Sequence, residues 1–372
     1  MRKHIVISAF SARRGGGKTY LSNLLKHFPS DNNIRVTILA SKHFDLAQDN
    51  SDMRIERILF PVHNPIMRVI WEIFILPFYL RNNDVDLFFC PGGVVPRFGF
   101  GSWKTITMFR NMIPFDSFQR RKYPFGYMRI RNWQLYNSML RSMKTADKVI
   151  FISNYAKGVV EKIIDIKRSF VIPHGVHEDF KDVGQFLERP DLLPNEPYIV
   201  YPSIIDAYKS QLEVVRAIDI LKKQKSKIPM VLFVGETMGQ YGSEVRDMIK
   251  ELHLEKDIII FGSVDYSNMP ALYHFSEFVI FASQSENCPN ILLEALASGC
   301  AILCSDRMPM PEFAENDVEY FDPTDPESIA SEINKFVVFP EKVQHKKKQA
   351  LQNTSVNDWQ KVAEKTWSSI IE

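Results

Sequence analysis

Two series of short, β-rich apolar runs, each interleaved with helical stretches, constrain this 372-residue chain more than any other feature. In the first half, candidate strands fall at residues 4–8, 35–39, 55–60, 87–90, 105–109, 149–152 and 170–172. Helical spacing occupies 18–27, 66–80, 127–144 and 155–164. Such alternation predicts a parallel sheet with helices on both faces. The pattern stops at 181–197, where Pro190, Pro194, Pro197 and several charges read as a linker. It then restarts, with strands at 198–201, 230–234, 258–261, 278–282 and 301–304. The expected organisation is an α/β domain over 1–180, the linker, a second α/β domain over 198–354, and a terminal helix over 355–372. That last segment places Trp359, Val362, Ala363, Trp367 and Ile370 on one helical face.

The richest chemistry lies in Ser285-Glu286-Asn287-Cys288-Pro289-Asn290-Ile291-Leu292-Leu293-Glu294-Ala295. An apolar strand runs into a polar turn there, and a helix begins near Pro289. In an open α/β sheet this turn lies on the carboxyl edge, where ligands bind. N–H groups at a helix start favour an anion such as a diphosphate. Glu286 in the turn and Glu294 one turn into the helix can both face sugar hydroxyls beside it. The plainer reading is two surface glutamates beside an ordinary helix start.

The same wording resembles the group 1, family four retaining glycosyltransferases, which read roughly S-x-x-E-x-x-P-x-x-L-L-E-A-x-A-x-G. The resemblance continues through Pro311-Glu312 and Tyr320-Phe321-Asp322-Pro323 and covers nearly the whole chain. It implies a GT-B fold: two Rossmann-like domains facing each other across a cleft, with the C-terminal helix returning to the first. It implies that Glu286 binds the donor sugar and Glu294 the nucleotide ribose, with Asn287, Pro289, Asn290 and Ile291 also lining the donor. Lys209 stands where the family uses a lysine to neutralise the leaving diphosphate. Tyr208 occupies a position where an arginine often precedes it. Phe109-Arg110-Asn111 replaces a turn that often begins His-Asp, so Arg110 and Asn111 become candidates for phosphate and sugar-hydroxyl contacts. An R-N-x-x-P-F version of this turn is similar to that of enzymes building bacterial surface polysaccharides. Ser153 in Ser153-Asn154-Tyr155-Ala156-Lys157 is an expected N-cap. His174 in Ile172-Pro173-His174-Gly175-Val176 is read as structural.

Ala12-Arg13-Arg14-Gly15-Gly16-Gly17-Lys18-Thr19 opens the first helix and fits a loose P-loop pattern. A nucleotide hydrolase or kinase is therefore a rival reading, although no apolar strand ends in a magnesium-binding Asp. The family has a glycine turn at the same place, where the backbone approaches the donor, and Gly15, Gly16 and Gly17 are assigned to that role. Asp84-Val85-Asp86 resembles a metal-binding D-x-D but precedes a strand, at the edge opposite the ligand. No metal and no cofactor beyond the donor substrate are expected.

Between residues 97 and 144 there are ten Lys or Arg and one acid, Asp116, so this segment carries +9 in a chain of net charge +2. Phe98, Phe100, Trp103, Phe109, Phe115, Phe118, Tyr123, Phe125, Tyr127, Trp133 and Tyr136 are interleaved with them. Basic charge with amphipathic aromatics suits an anionic membrane surface or a lipid-linked phosphate. The alternatives are RNA, which would make the chain a non-enzymatic binding protein, or a partly buried aromatic set with a solvated charged face. The segment 65–80 is the most hydrophobic but too short to span a bilayer. Four cysteines without CxxC spacing and a start lacking signal-peptide length suggest a reducing, cytoplasmic setting.

The expected function is transfer of a sugar from a nucleotide-diphosphate sugar to a saccharide acceptor, lipid-linked, in polysaccharide, O-antigen or lipopolysaccharide assembly. The expected partners are that donor, that acceptor and the inner face of the cell membrane, with no nucleic acid. A donor-specific hydrolase or phosphorylase on the same scaffold is a further alternative.

Overall fold

The computed structural model describes residues 2–12, 16–29, 33–42, 53–96, 101–122, 125–181, 188–237, 239–352 and 357–372. Its contacts divide the chain into two units, Met1–Gly175 with Trp359–Glu372, and Val176–Asp358. The stretch expected as a linker, 181–197, falls inside the second unit, and the change-over comes earlier, between Gly175 and Val176.

Apolar residues on both faces of a strand mark a sheet covered on both sides, and Ile5, Val6 and Ile7 are all fully buried. They belong to β1 (Lys3–Ser8), followed by α1 (Gly16–Lys26), β2 (Ile34–Ser41), β3 (Met53–Ile58), α2 (Pro65–Phe74), α3 (Leu76–Asn82), β4 (Leu87–Cys90) and β5 (Lys104–Phe109). The first unit continues with α4 (Ser117–Lys122), α5 (Tyr127–Thr145), β6 (Lys148–Phe151), α6 (Asn154–Glu161) and β7 (Ser169–Val171). Among the described residues its strands form one parallel sheet in the order β3-β2-β1-β4-β5-β6-β7. The order reverses between β1 and β4, which creates a switch point at their carboxyl ends. Right-handed crossovers put α1 on one face of the sheet and α2, α3, α5 and α6 on the other.

The helix expected as one over 66–80 is two. Pro77 has no N–H to donate and its ring would crowd the carbonyl one turn earlier, so the chain breaks at Ile75 and restarts as α3 with Pro77 in its first turn. Ser153 caps α6 as its position suggested, its Oγ accepting from the Ala156 N–H at 3.1 Å. Asp86 sits at the amino end of the sheet, where its carboxylate accepts from the His4 N–H at 2.7 Å.

The second unit runs β8 (Tyr198–Pro202), α7 (Gln211–Lys223), β9 (Met230–Val234), α8 (Gly239–Glu251), β10 (Ile258–Gly262), α9 (Met269–His274), β11 (Val279–Phe281), α10 (Asn290–Ala297), β12 (Ile302–Ser305), α11 (Met310–Ala314), β13 (Glu319–Phe321), α12 (Pro326–Val338) and α13 (Pro340–Gln352). Its parallel sheet has the order β10-β9-β8-β11-β12-β13, with the reversal between β8 and β11. Sequence patterning did not mark β13, a three-residue edge strand too short to show periodicity.

The last helix, α14 (Trp359–Ile371), belongs to the first unit and lies along α1. Its buried face is the stripe read from the sequence. Trp367 fills it, packing edge-on against Phe28 at 5.0 Å and donating its Nε1–H to the Leu24 carbonyl at 2.8 Å. His174 packs in a three-ring cluster with Tyr20 and Trp359, each at 5.6 Å, the latter two 6.2 Å apart. Trp367→Ala removes a side chain that is 1% exposed and should destabilise the first unit by about 3–5 kcal/mol. Urea denaturation followed by circular dichroism would measure this; a loss below 1 kcal/mol would show that α14 does not close that core.

Candidate functional site

The second unit's switch point is built from the two loops that leave β8 and β11. After Pro202 the chain crosses to a single 3-10 turn, Ala207–Lys209, and Ser210 then takes a left-handed conformation (φ 54°) as α7 begins. After Phe281 the loop carries Ser283, Gln284, Ser285 and Asn287, all buried, and ends at Pro289, the residue capping α10. Three interactions stitch the loops together. The Gln284 N–H donates to the Tyr208 carbonyl at 2.7 Å, and Gln284 Nε2 donates to Ser210 Oγ at 2.5 Å. Lys209 Nζ pairs with Glu286 Oε1 at 2.5 Å.

This ion pair is largely removed from water: the side chains of Lys209 and Glu286 are 6% and 16% exposed. Glu286 Oε1 also accepts from Ser283 Oγ at 2.7 Å. The Lys209 ammonium lies 5.0 Å from the Tyr208 ring centre and 5.2 Å from that of Phe281. Tyr208, standing where the family often has an arginine, thus gives the cation a π face instead of a second charge. The Tyr201 hydroxyl donates to the Lys209 carbonyl and fixes the turn's backbone.

Glu294 is the second carboxylate. It sits on the fifth residue of α10, 9% exposed, and its Oε1 accepts from the Tyr266 hydroxyl at 2.9 Å. Burial raises its pKa to about 7, against the lowering effect of hydrogen bonds from Tyr266 and Tyr273. Asn290 and Ile291 form the first turn of α10, whose N–H end points to the carboxyl edge of the sheet. Lys209, Glu286, Asn287, Pro289, Asn290, Ile291 and Glu294 therefore all belong to one short stretch of that edge. Ser283, Gln284, Tyr201 and Tyr266 were missed by sequence reasoning. Tyr266 follows β10 on the same edge, so its location was legible, but a partner 28 residues away was not.

The first unit has its own constellation. Gly15 lies outside the described residues; Gly16 and Gly17 are the first residues of α1. A Cβ on Gly17 would stand 3.4 Å from both terminal nitrogens of Arg110. The Arg110 guanidinium also lies 5.6 Å from the centre of the Tyr20 ring. A Cβ on Gly92, in the loop after β4, would meet Ser11 Oγ at 2.5 Å, so the loops at this switch point also touch. Arg110 thus brings a cation to the amino end of α1. Asn111 is turned to local use, its Oδ1 accepting from the Ile113 N–H at 3.2 Å. Lys18 is exposed, and no described strand of this unit ends in Asp, so the P-loop reading gains nothing from the structure.

Two tandem sheets of Rossmann-like order, the second carrying a Lys–Glu pair at its switch point, define a protein of the GT-B class. Residues 184–353 match the family model for Glycosyl transferases group 1, and residues 14–180 match that for Glycosyltransferase Family 4. The chain belongs to the glycosyltransferases, its first half matching family 4 and its second half group 1. It is 29% identical over 187 residues to a Campylobacter jejuni N-acetylgalactosamine-N,N'-diacetylbacillosaminyl-diphospho-undecaprenol 4-alpha-N-acetylgalactosaminyltransferase, covering 49% of this chain and 48% of the relative. It is 25% identical over 232 residues to a Salmonella typhimurium lipopolysaccharide 1,2-N-acetylglucosaminetransferase, covering 59% and 60%. These matches span between about half and three-fifths of the curated relatives' length. In fold it is similar to Anabaena HepE, solved with UDP and glucose: TM-score 0.72, 14% identity, 99% of each chain covered.

Removing one partner of a largely buried ion pair leaves the other charge uncompensated, at a cost of roughly 3–5 kcal/mol. Lys209→Met and Glu286→Gln should each lower the second unit's stability by that order, and the double variant should lose less than the sum. Chemical denaturation of the three variants checks this coupling; strictly additive losses would mean that the two groups do not interact.

Proposed function

We propose that this chain is a retaining glycosyltransferase that moves a sugar from a nucleotide-diphosphate sugar to a lipid-linked saccharide acceptor in bacterial surface-polysaccharide assembly. The observation that carries the reading is the Lys209–Glu286 pair at the second switch point, with Glu294 one turn along α10. That edge of the fold is where nucleotides bind in open α/β sheets. The curated relatives' names and the UDP-bound neighbour support the substrate class.

In this reading the donor diphosphate takes Lys209 as its counter-ion and rests against the N–H end of α10. Glu286, released from full pairing, accepts from the donor sugar's hydroxyls. Glu294 accepts from the ribose diol beside its hydrogen bonds from Tyr266 and Tyr273. Negative charge grows on the diphosphate as the bond from the anomeric carbon to phosphate oxygen breaks, so a fixed cation stabilises the transition state more than the ground state. The acceptor hydroxyl attacks from the same face, its proton passes to the departing phosphate oxygen, and configuration is kept. Arg110 beside Gly17 supplies the first unit's cation for a phosphate of donor or acceptor. No metal is required, because Lys209 and the helix terminus carry the charge.

Exposed Phe118, Phe125, Tyr127 and Trp133 share α4, α5 and their junction with exposed Arg121, Lys122, Arg129 and Arg131. This surface supports peripheral attachment to the anionic inner face of the cell membrane, where a lipid-linked acceptor is found. Trp103 and Phe109 from the same segment are instead core residues, and Arg120 is half-buried over the Tyr136 ring at 5.3 Å. Phe98, Phe100 and Tyr123 lie outside the described residues. Among the described residues no helix is long and apolar enough to cross a membrane.

Glu286→Gln should reduce turnover by about 30- to 1000-fold, the loss of one charged transition-state hydrogen bond of roughly 2–4 kcal/mol. The activity should survive EDTA. Ribose hydroxyls donate to the ionised Glu294, and that form is depleted as pH falls below about 7. Nucleotide-sugar affinity should therefore be flat above that value and weaken below it by up to about tenfold per pH unit. Glu294→Gln should remove the slope. A nucleotide-sugar diphosphate does not itself titrate in this range, so calorimetry between pH 5.5 and 8.5 isolates the protein group. Wild-type turnover by Glu286→Gln, or a pH slope that persists in Glu294→Gln, would defeat these roles.

A further inference from the structure

The helix pair α2–α3 presents an outer face that is apolar from Ile66 to Phe78 and ends at the exposed Arg81. Ile66, Val69, Ile70, Ile73, Phe74 and Phe78 are 72%, 47%, 40%, 43%, 66% and 57% exposed. Between Pro65 and Phe78 the sequence holds only two charged residues, Arg68 and Glu72, and neither points freely outward. The Arg68 Nε and Glu72 Oε1 lie 3.7 Å apart, with side chains 29% and 14% exposed. On the opposite side Trp71, Leu76 and Leu80 anchor the pair to the core over β1 and β4. A water-facing helix usually carries its polar residues outward and its apolar ones inward. Here the apolar residues face both ways.

The surroundings indicate what covers this face. Val6, Phe88 and Cys90 beneath α2–α3 share one side of the sheet with Phe109, Val149 and Phe151 beneath α5, as the strand register requires. The two helix layers meet at Val95, which belongs to the α2–α3 core. Its N–H donates to Ser142 Oγ on α5 at 2.9 Å, and its carbonyl accepts from Arg141 at 2.8 Å. The apolar face and the basic, aromatic α4–α5 surface therefore lie in one continuous layer. A protein partner's patch would normally carry a polar rim matched to polar groups. A helix with an apolar outer face beside a basic aromatic one matches the interfacial zone of an anionic bilayer, acyl chains next to headgroups.

We infer that α2–α3 inserts shallowly into the acyl region of an anionic phospholipid bilayer, while α4–α5 lies on the headgroups. At ten residues α2 is about 15 Å long, too short to cross and suited to lying in the plane. Attachment then has two parts: a basic one that salt screens, and an apolar one that salt leaves intact. The inference rests on the membrane reading proposed above and assigns it a second, distinct element.

The test uses the full chain and vesicles of phosphatidylglycerol and phosphatidylcholine. All four native cysteines are buried, so Phe74→Cys can be labelled selectively with an environment-sensitive dye. The label should shift to the blue on vesicles and be quenched by lipids carrying a quencher within the acyl chain. Ile70→Ser with Phe74→Ser should weaken the binding that survives 0.5 M salt by about tenfold or more. Arg121→Ser with Arg129→Ser should weaken only the salt-sensitive part. Both replaced pairs are exposed, and an unchanged thermal melt would confirm intact folding. If wild type floats with vesicles while the label at 74 stays in water, α2–α3 insertion is wrong and the basic attachment stands. If wild type does not float at all, both fail. If sedimentation shows a dimer that the Ile70/Phe74 double variant dissolves, the face is covered by a second copy and the inference is overturned.

Discussion

The ion pair between Lys209 and Glu286 is the constraint on which the candidate site depends. Each group leaves the carboxyl end of a different strand, and those strands flank the reversal in the second sheet's order. Without the pairing, a buried ammonium and a nearly buried carboxylate would each bear a desolvation cost that the fold cannot meet alone. The loops are held by Gln284, which reaches the first loop with both its backbone and its side chain. A rigid pair of opposite charges also suits a ligand that bears both anionic phosphate and hydroxyl groups. A phosphate would replace the carboxylate as the anionic partner of Lys209, and sugar hydroxyls would donate to Glu286, so both groups would keep polar partners.

Glu294 illustrates a different use of burial. Burial raises its pKa to about 7, while the hydroxyls of Tyr266 and Tyr273 both donate to it. The first unit shows a sparser version of the same architecture, with Arg110 set against Gly17 at the amino end of α1. A Cβ there would reach contact distance of the guanidinium, so glycine leaves Arg110 room at the helix start.

Much of this was legible in the sequence because parallel sheets bury both strand faces. Residues 258–261 and 301–304 read as apolar blocks, and the turn after the first carries Tyr266. The α14 stripe was legible for the same reason, since Trp359, Val362, Trp367 and Ile370 recur at helical spacing. What the sequence hid was long-range or cooperative. The break at Ile75 depended on one proline within a strongly helical stretch. The Lys209–Glu286 contact joins groups 77 residues apart, and only the family resemblance pointed to both. The outward apolar face of α2 was invisible to periodicity, because a mostly apolar stretch looks like a buried helix until a structure shows Ile66, Phe74 and Phe78 exposed.

In the proposed function the nucleotide sugar's diphosphate binds at the second unit's switch point. Amide hydrogen exchange of the full chain, with and without a saturating nucleotide sugar found by thermal-shift screening, tests it directly. Residues 203–210 and 283–291 should gain protection together, and the gain should vanish in Lys209→Met under the same donor concentration. Protection confined to the glycine turn at α1, with both of these loops unchanged, would contradict the account.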